Sequence, residues 1–394
     1  MSQTPAAPRI RTGLLSGAAY AGMFGFGIVM ASLGAILPLV SHRLHFDLSQ
    51  AGNLFLAMNG AMLVVTVCVG PLLDRFGTKA AFVIAPLFVA GALVLIAGTD
   101  KFGGLAIAVA LLGAGGGALN QASNTLIAGL HDDPKKKNAA LNLLGVFFGF
   151  GALFIPFTIG SLLQSLGLSV ILYLGALLSL VPAAGIALPF PAPPQATGVP
   201  MSDVLRLARQ PLIIVFALLL FCESGNEFLL GGYVTTFLTR NLGATVAAAS
   251  YLLAAYWGAL MIGRIILSRV LLWASGGVLI LSSAIGVAVA VALLLLSTAL
   301  PMAGVAIVLL GLCTAAIFPT TLGIAGGQYP RHSGTVFSIL IGVALSGGMT
   351  LPWIAGQLSA SRGAGAGLML AIGSALVIGV LALSAGRVMR REKR

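Results

Sequence analysis

The feature that most constrains this chain is a succession of apolar runs, each long enough to cross a membrane. The runs are continuous, and charged residues make up only 8% of the sequence. A spanning helix needs roughly 20 apolar residues, and in lipid only helices and closed barrels satisfy the backbone. Because barrel strands alternate between apolar and polar positions, continuous runs predict helices. The chain is therefore expected to be an all-α membrane protein.

Twelve transmembrane helices are predicted from these runs. The predicted spans are residues 13–40, 50–72, 80–98, 103–130, 138–163, 168–190, 211–238, 244–268, 274–296, 300–324, 333–358 and 364–386. The first run exceeds the apolar core of a typical signal peptide, which is about 7–15 residues, so we interpret it as a retained span.

A proline-rich stretch at residues 189–210 separates the sixth span from the seventh. It holds five prolines and then a polar run, a composition typical of a linker. We therefore predict two six-helix halves joined by a cytoplasmic linker. The predicted domains are residues 1–190, the linker 191–210, and residues 211–394.

A short internal sequence repeat supports this division. Three residues of the fifth span recur in the eleventh at an offset of 196 residues: Gly151, Pro156 and Gly160 recur as Gly347, Pro352 and Gly356. Parallel repeats of this kind occur in transporters built from two related halves.

The distribution of basic residues predicts the orientation. With both termini inside, 17 of the 21 Lys and Arg residues fall in inner segments and four in outer loops. Short cytoplasmic loops carry such an excess, so we expect both termini and the loop 131–137 to be cytoplasmic in an inner (plasma) membrane. This bias explains the net charge of +12 without a nucleic-acid partner. The expected partners are the lipid bilayer and a small-molecule substrate, and the chain is expected to be monomeric.

The loop between the second and third spans carries a specific motif. It reads G-P-L-L-D-R-F-G-T-K from Gly70 to Lys79. This pattern resembles the signature loop of the major facilitator superfamily, G-x-x-x-D-R-x-G-x-K. The resemblance implies a major facilitator fold and a conformational latch at Gly70, Asp74, Arg75 and Gly77. The alternative is that Asp74 is a solvated loop charge.

Two acidic residues lie inside a predicted span. Glu223 and Glu227 are in the seventh span, and a carboxylate at a helix centre costs about 2.5–3.5 kcal/mol on insertion scales. Their spacing of four places both on one helix face. They are candidate ion-coupling residues for H⁺ or Na⁺. Alternatively, they lie near the outer surface and are hydrated.

Uncharged polar and aromatic residues in several spans are candidate solute contacts, since amides donate and accept hydrogen bonds and aromatic faces suit the apolar side of a sugar. The candidate substrate-binding residues are Asn120, Gln121, Asn124, Asn142, Asn226, Tyr233, Tyr256, Trp257 and Trp353. Hydrogen bonding between helices is the alternative role for the amides.

A narrower resemblance follows from short segments in spans four to ten. They are A-L-N-Q-A-S-N from Ala118, G-N-E with G-G-Y from Gly225, Y-W-G with G-R from Tyr256, and F-P-T from Phe318. These resemble segments of the fucose permease family, which includes sodium-dependent glucose transporters. The resemblance implies hexose uptake coupled to protons or sodium. One departure is Asn120, which stands where the family has a glutamate, so coupling would fall to Glu227 or Glu223.

The sequence therefore predicts a secondary transporter that moves a small hydroxylated solute, a sugar, by alternating access. The alternatives are an exporter of drugs or amphipathic metabolites, and a uniporter. An enzyme is not expected, because no nucleophile–base constellation is visible and no histidine lies in a span. No cofactor and no metal site are expected, since Cys68, Cys222 and Cys313 lack metal-site spacing.

Overall fold

The computed structural model describes residues 12–131, 133–188, 190, 201–271 and 273–392 of the chain. The side chains of residues 69–76, 134, 135, 138, 186, 201, 268, 331 and 390–392 are outside that description. In the described part the secondary structure is entirely helical. The α-helices are α1 (Thr12–Leu44), α2 (Leu48–Phe76), α3 (Thr78–Gly98), α4 (Phe102–Leu130), α5 (Pro134–Ser179), α6 (Met201–Ala208), α7 (Pro211–Asn241), α8 (Val246–Val270), α9 (Gly276–Leu295), α10 (Leu300–Thr314), α11 (Ile317–Gln328), α12 (Ser333–Arg362) and α13 (Ala364–Glu392).

Eleven helical stretches in the described part are long and apolar enough to cross a membrane. One of them, Ala139–Gly185, has 47 residues and is broken at Gly167, where φ is 75° and ψ is 164°. At 1.5 Å per residue such a stretch is about twice the length of a bilayer core of roughly 30 Å. It therefore crosses twice, and the chain has the predicted all-α fold with twelve transmembrane segments.

Prolines explain where several helices begin and where the tenth span breaks. Pro211 and Pro301 lie in the first turn of α7 and α10, where a helix needs no backbone donor. Pro319 has no N–H to donate to Ala315, and its ring crowds that carbonyl. The tenth span accordingly divides into α10 and α11 at residues 315–316. The sequence prediction treated it as one continuous helix.

We refer to α1–α5 as the first half and to α7–α13 as the second half. The predicted domain boundaries stay a prediction; residues 191–200 of the linker lie outside the described residues, and α6 occupies most of the remainder. Each half packs through closely approaching glycines. A β-carbon on Gly151 would meet the Phe24 carbonyl, and one on Gly347 would meet the Phe221 carbonyl.

In the described part, the two halves meet through four helix pairs, which are α1 with α7, α1 with α8, α2 with α12, and α5 with α8. Hydrogen bonds between the halves lie toward the end of the bundle where α1 ends and α2 begins, which we call the contact end. They are Thr235 Oγ1 to the Gly34 carbonyl (2.6 Å), Ser49 Oγ to Gln357 Oε1 (2.7 Å), Trp353 Nε1 to Asn53 Oδ1 (3.1 Å), and Tyr251 Oη to Ser161 Oγ (3.0 Å). In the predicted orientation, the contact end faces outward.

Candidate functional site

Two buried carboxylates lie in the middle of α7. Glu223 is 1% exposed and Glu227 is 8% exposed, so neither is a hydrated surface group in this structure. Both oxygens of Glu223 are buried without a hydrogen-bond partner. Among the described residues, none donates a hydrogen bond to either carboxylate and none forms an ion pair with them within 4.0 Å.

Helix α8 presents a cation and two large aromatic residues beside these acids. Arg264 is half-buried, its Nε lies buried without a hydrogen-bond partner, and its charge interacts electrostatically with both carboxylates. Tyr256 and Trp257 are fully buried, with ring centroids 5.2 Å apart. The acids therefore lie within a polar cluster of the second half, formed by α7 and α8.

The first half contributes Phe148 of α5 to the same region. Its ring centroid lies 6.0 Å from that of Trp257, in an edge-on arrangement, and 5.4 Å from Cζ of Arg264. A guanidinium at that distance from an aromatic face makes a cation–π contact. The cluster thus bridges the two halves through α5 and α8.

Asn120 and Asn124 lie on one face of α4. Gly113 and Gly117 pack against Met58 and Met62 of α2. Asn120 and Asn124 each follow one of these glycines by seven residues, so they continue the same face. Asn124 Nδ2 donates to both the backbone carbonyl and Oδ1 of Asn120 at 2.9 Å. Asn124 is exposed and Asn120 half-buried, so amide groups remain available to a ligand.

The position of this amide face relative to the second half follows from the packing of α4. Leu119 and Ser123 pack against Gly25 and Gly22 of α1, so α4 contacts α1 on one side and α2 on the other. Asn120 lies between these two stripes. Helices α1 and α2 in turn contact α7 and α12, so this face of α4 lies against the two helices that connect the first half to the second. Gln121 is half-buried and lies about 100° further around the helix.

The other predicted solute contacts are engaged in helix packing or lie apart. Asn226 Nδ2 donates to the Ala371 carbonyl of α13 at 3.5 Å, on the side of α7 away from the first half. Tyr233 Oη donates to the Pro352 carbonyl at 3.1 Å. Trp353, 38% exposed, donates to Asn53 at the contact end. Asn142 is exposed on α5. Their roles in solute binding stay predictions.

The predicted latch falls mostly outside the described side chains. Gly70, Asp74 and Arg75 lie in the segment of α2 for which only the backbone is described. Gly77 follows α2 and precedes α3 with φ 76° and ψ 169°, a conformation that favours glycine. The glycine of the motif therefore allows the sharp turn between the two helices.

Three polar residues of the inter-half region were not predicted from the sequence. Asn59 of α2 is fully buried with Oδ1 unpartnered, and Asn53 accepts from Trp353. Arg264, one of the 17 basic residues assigned to the inner segments, contacts Phe148 instead. The sequence did contain an indication of each residue in its position along the apolar runs. Asn53 and Asn59 lie in the second apolar run, and Arg264 falls within the predicted eighth span rather than after it.

A cleft separate from this cluster opens between α1 and α7 at the contact end. Its volume is about 360 Å³, and its polar lining includes His42, Thr236, Thr239 and Arg240. It lies near the last turns of the two helices, whereas the carboxylates are about halfway along α7. The cleft and the acid cluster are therefore distinct features.

Twelve transmembrane helices, with a buried charged cluster where two sets of helices meet, define a polytopic membrane transporter. The sequence matches the family model of the Major Facilitator Superfamily over residues 19–271, more than half of the chain. The chain belongs to this superfamily, and it is a transporter rather than an enzyme. No curated protein matches its sequence.

Solved structures share the fold at low sequence identity. A mutant of the nucleoside transporter NupG superposes with a TM-score of 0.79 at 14% identity, covering 95% of this chain and 99% of that chain. A bacterial homologue of the human lysosomal transporter Spinster, inward-facing and unoccupied, gives 0.76 at 14% identity over 97% and 98%. A variant of the E. coli fucose:proton symporter FucP gives 0.68 at 16% identity over 95% and 99%. At these identities the similarity concerns the fold.

Proposed function

We propose that this chain is a secondary carrier that moves a small hydroxylated solute, a sugar, by alternating access, with H⁺ or Na⁺ coupling at Glu227. The observation that carries the proposal is the burial of two acids, Glu223 and Glu227, near the junction of the two halves, with no hydrogen bond to either from a described residue. In this proposal the protein crosses the inner membrane several times with both termini cytoplasmic. It acts as a monomer without a cofactor.

The burial of the two acids supports ion coupling. A bare carboxylate in an apolar environment is strongly disfavoured unless it is paired or neutralised. Membrane-embedded acids that persist despite this cost commonly mark ion or proton paths. Glu227 retains slight exposure whereas both oxygens of Glu223 are fully covered, so Glu227 is the better placed of the two to exchange an ion.

The α4 amides and the aromatic residues near the junction support a hydroxyl-rich solute. Asn120 and Asn124 offer donors and acceptors on the face of α4 between α1 and α2, the two helices that contact the second half. Phe148 of the first half and Trp257 of the second half place apolar rings together at the junction. The solved proteins that share the fold include transporters for a nucleoside and for fucose, both of which carry sugar hydroxyls.

Uptake by proteoliposomes tests the proposal. The purified chain is reconstituted and assayed with radiolabelled L-fucose, D-glucose and uridine, each with an inward proton gradient, an inward sodium gradient, or neither. We expect accumulation of at least one of these solutes above the equilibrium level with one gradient. Transport that equilibrates without either gradient would indicate a uniporter. Movement of amphipathic cations such as ethidium, with none of these solutes, would favour an exporter and overturn the proposal.

A further inference from the structure

Several polar atoms around the α7 acids are buried without a hydrogen bond. They are both carboxylate oxygens of Glu223, Nε of Arg264 and Nε1 of Trp257. Leaving a buried polar group unpaired is unfavourable, and more so when the group is charged. Such a concentration of unpaired groups indicates a site whose partners change during the transport cycle.

We propose that Arg264 is the internal counter-charge of the α7 acids, exchanging between the Phe148 ring and Glu227 as the coupling ion binds and leaves. The inference rests on the ion coupling proposed above and adds to it the residue that replaces the ion. It also makes the contact between α5 and α8, which joins the halves, depend on whether the ion site is occupied.

The position of Arg264 supports this role. Its guanidinium lies over Phe148 of the first half, yet its charge interacts with Glu223 and Glu227 of the second half. It forms no ion pair with either acid within 4.0 Å in this structure. The guanidinium thus has two alternative partners, the aromatic ring and a carboxylate, and in this structure it contacts the ring.

No other described charge is placed to take this role. Tyr256 of α8 is the remaining titratable side chain that interacts with both acids. Helices α10 and α11 contain no charged residue, and the charges on the other helices packed against α7 lie in their terminal turns or on the short α6. These charges are His42 and Arg43 of α1, Arg269 of α8, Arg362 of α12, Arg387 at the basic end of α13, and the paired Asp203 and Arg206 of α6.

The energetics favour an exchange that depends on the ion. When H⁺ or Na⁺ neutralises Glu227, the ring is the remaining partner of the guanidinium, and a cation–π contact contributes about 0.5–2 kcal/mol. When the ion leaves, the bare carboxylate attracts the guanidinium more strongly than a ring does, because charge–charge attraction is large in a low-dielectric interior. Arg264 then leaves Phe148, and a contact between α5 and α8 is lost. Release of the ion would thereby weaken the closed arrangement of the halves.

A distance measurement on the full chain tests this without knowledge of the solute. Spin labels are placed at Gln164 near the end of the first segment of α5 and at Asn241 at the end of α7, both exposed and on different halves. The three native cysteines are replaced by alanine. Double electron–electron resonance in proteoliposomes then measures the distance distribution between the two labels. The ratio of open to closed populations is obtained at pH 5.5 and 8.5, in choline chloride and in sodium chloride.

In the otherwise unmodified protein, we expect the open-to-closed ratio to rise about two- to thirtyfold when the coupling ion is withdrawn, matching the loss of a cation–π contact. Arg264→Gln should abolish this response, and Glu227→Gln should keep the open-to-closed ratio of the ion-bound protein under all conditions. Phe148→Leu keeps every charge and should raise the open fraction even with the ion bound. The matched control is Arg269→Gln, the same substitution on the same helix, which should respond as the unmodified protein does.

The outcomes separate this inference from the proposed function. If Glu227→Gln removes the response and Arg264→Gln leaves it intact, coupling at Glu227 stands and the role of Arg264 is overturned. An unchanged distance distribution in Phe148→Leu would overturn the exchange with the ring. If the unmodified protein responds to neither pH nor sodium, the proposed coupling itself fails.

Discussion

Gly347 of α12 lies directly against the backbone carbonyl of Phe221 in α7, closer than a side chain would allow. The first half repeats this contact, with Gly151 of α5 against the carbonyl of Phe24 in α1. Gly151 and Gly347 are 196 residues apart, and Phe24 and Phe221 are 197 apart. The same local packing at nearly the same offset supports the proposed duplication of a six-helix unit.

Replacing Gly347 with alanine should destabilise the protein, because the new methyl group meets backbone that cannot shift cheaply. Overpacking of this kind costs about 1–3 kcal/mol. The matched control is Gly342→Ala on the same helix, where a β-carbon meets nothing within 4 Å. This control should be neutral or stabilising by up to about 1 kcal/mol. Thermal unfolding in detergent, followed by loss of the monodisperse chromatography peak, compares the two variants. Equal melting temperatures would contradict the prediction.

Replacing Glu227 with glutamine should abolish gradient-driven accumulation but retain solute exchange. The amide keeps the volume of the side chain and removes the charge that binds the ion. Counterflow and gradient-driven uptake, measured on the same proteoliposomes with the solute identified by the screen, separate the two activities. Full accumulation by this variant would exclude Glu227 as the coupling acid. Glu223→Gln, one turn away on α7, shows whether the effect belongs to Glu227 alone.

Replacing Asn124 with alanine should weaken solute binding by about 1–3 kcal/mol, the cost of leaving a buried polar partner unsatisfied. The change also removes the two hydrogen bonds from Asn124 to Asn120, so both amides of this face are affected. Gln121→Ala serves for comparison, because Gln121 lies on a different face of α4. Binding constants from counterflow competition decide between them. An unaltered constant for Asn124→Ala would remove the proposed solute contact.

Replacing Asp74 with asparagine should lower the transport velocity with little change in solute affinity. The residue belongs to the superfamily motif at the end of α2, far along the chain from the α4 amides and the α7 acids. A carboxylate there is suited to meet a helix N-terminus or a basic partner in one conformation only. Initial rates across a range of solute concentrations separate velocity from affinity. Normal velocity at normal protein levels would argue against the latch.

The helices of this fold were predictable, and most of the contacts within the site were not. Apolar runs and their interruptions indicated twelve spans, including the division at Gly167 inside one long helix. Glu223 and Glu227 are buried within α7, as their positions inside the predicted seventh span indicated. The direction of each polar side chain depends on which helix lies beside it, which span assignment does not provide. Asn226 therefore contacts α13, and Trp353 contacts Asn53 across the halves.

Arg264 shows a second limit of reasoning from the sequence. Its place near the end of an apolar run was consistent with a cytoplasmic topology signal, as for other basic residues. Only the packing of α8 against α5 places its guanidinium over Phe148, where its charge also acts on the α7 acids. A charge near a helix end can extend toward water or toward the interior, and the tertiary structure determines which.

Thr235 offers a test of alternating access at the contact end. Its hydroxyl donates to the Gly34 carbonyl at 2.6 Å, a buried hydrogen bond between the halves, whereas Thr239 one turn later donates to carbonyls of its own helix. Valine has nearly the shape of threonine and lacks the donor, so Thr235→Val removes about 0.5–1.5 kcal/mol from the closed arrangement.

The open fraction at the contact end should therefore increase about two- to twelvefold in Thr235→Val, since 1.4 kcal/mol corresponds to a factor of ten. Thr239→Val should leave it unchanged, because that hydrogen bond does not join the halves. Opening is measured as the rate at which a thiol reagent labels a cysteine introduced at Ser41, in the cleft between α1 and α7. Gly34 itself is unsuitable for the cysteine, because it is closely packed. Equal labelling rates in the two valine variants would show that the Thr235–Gly34 contact does not control opening.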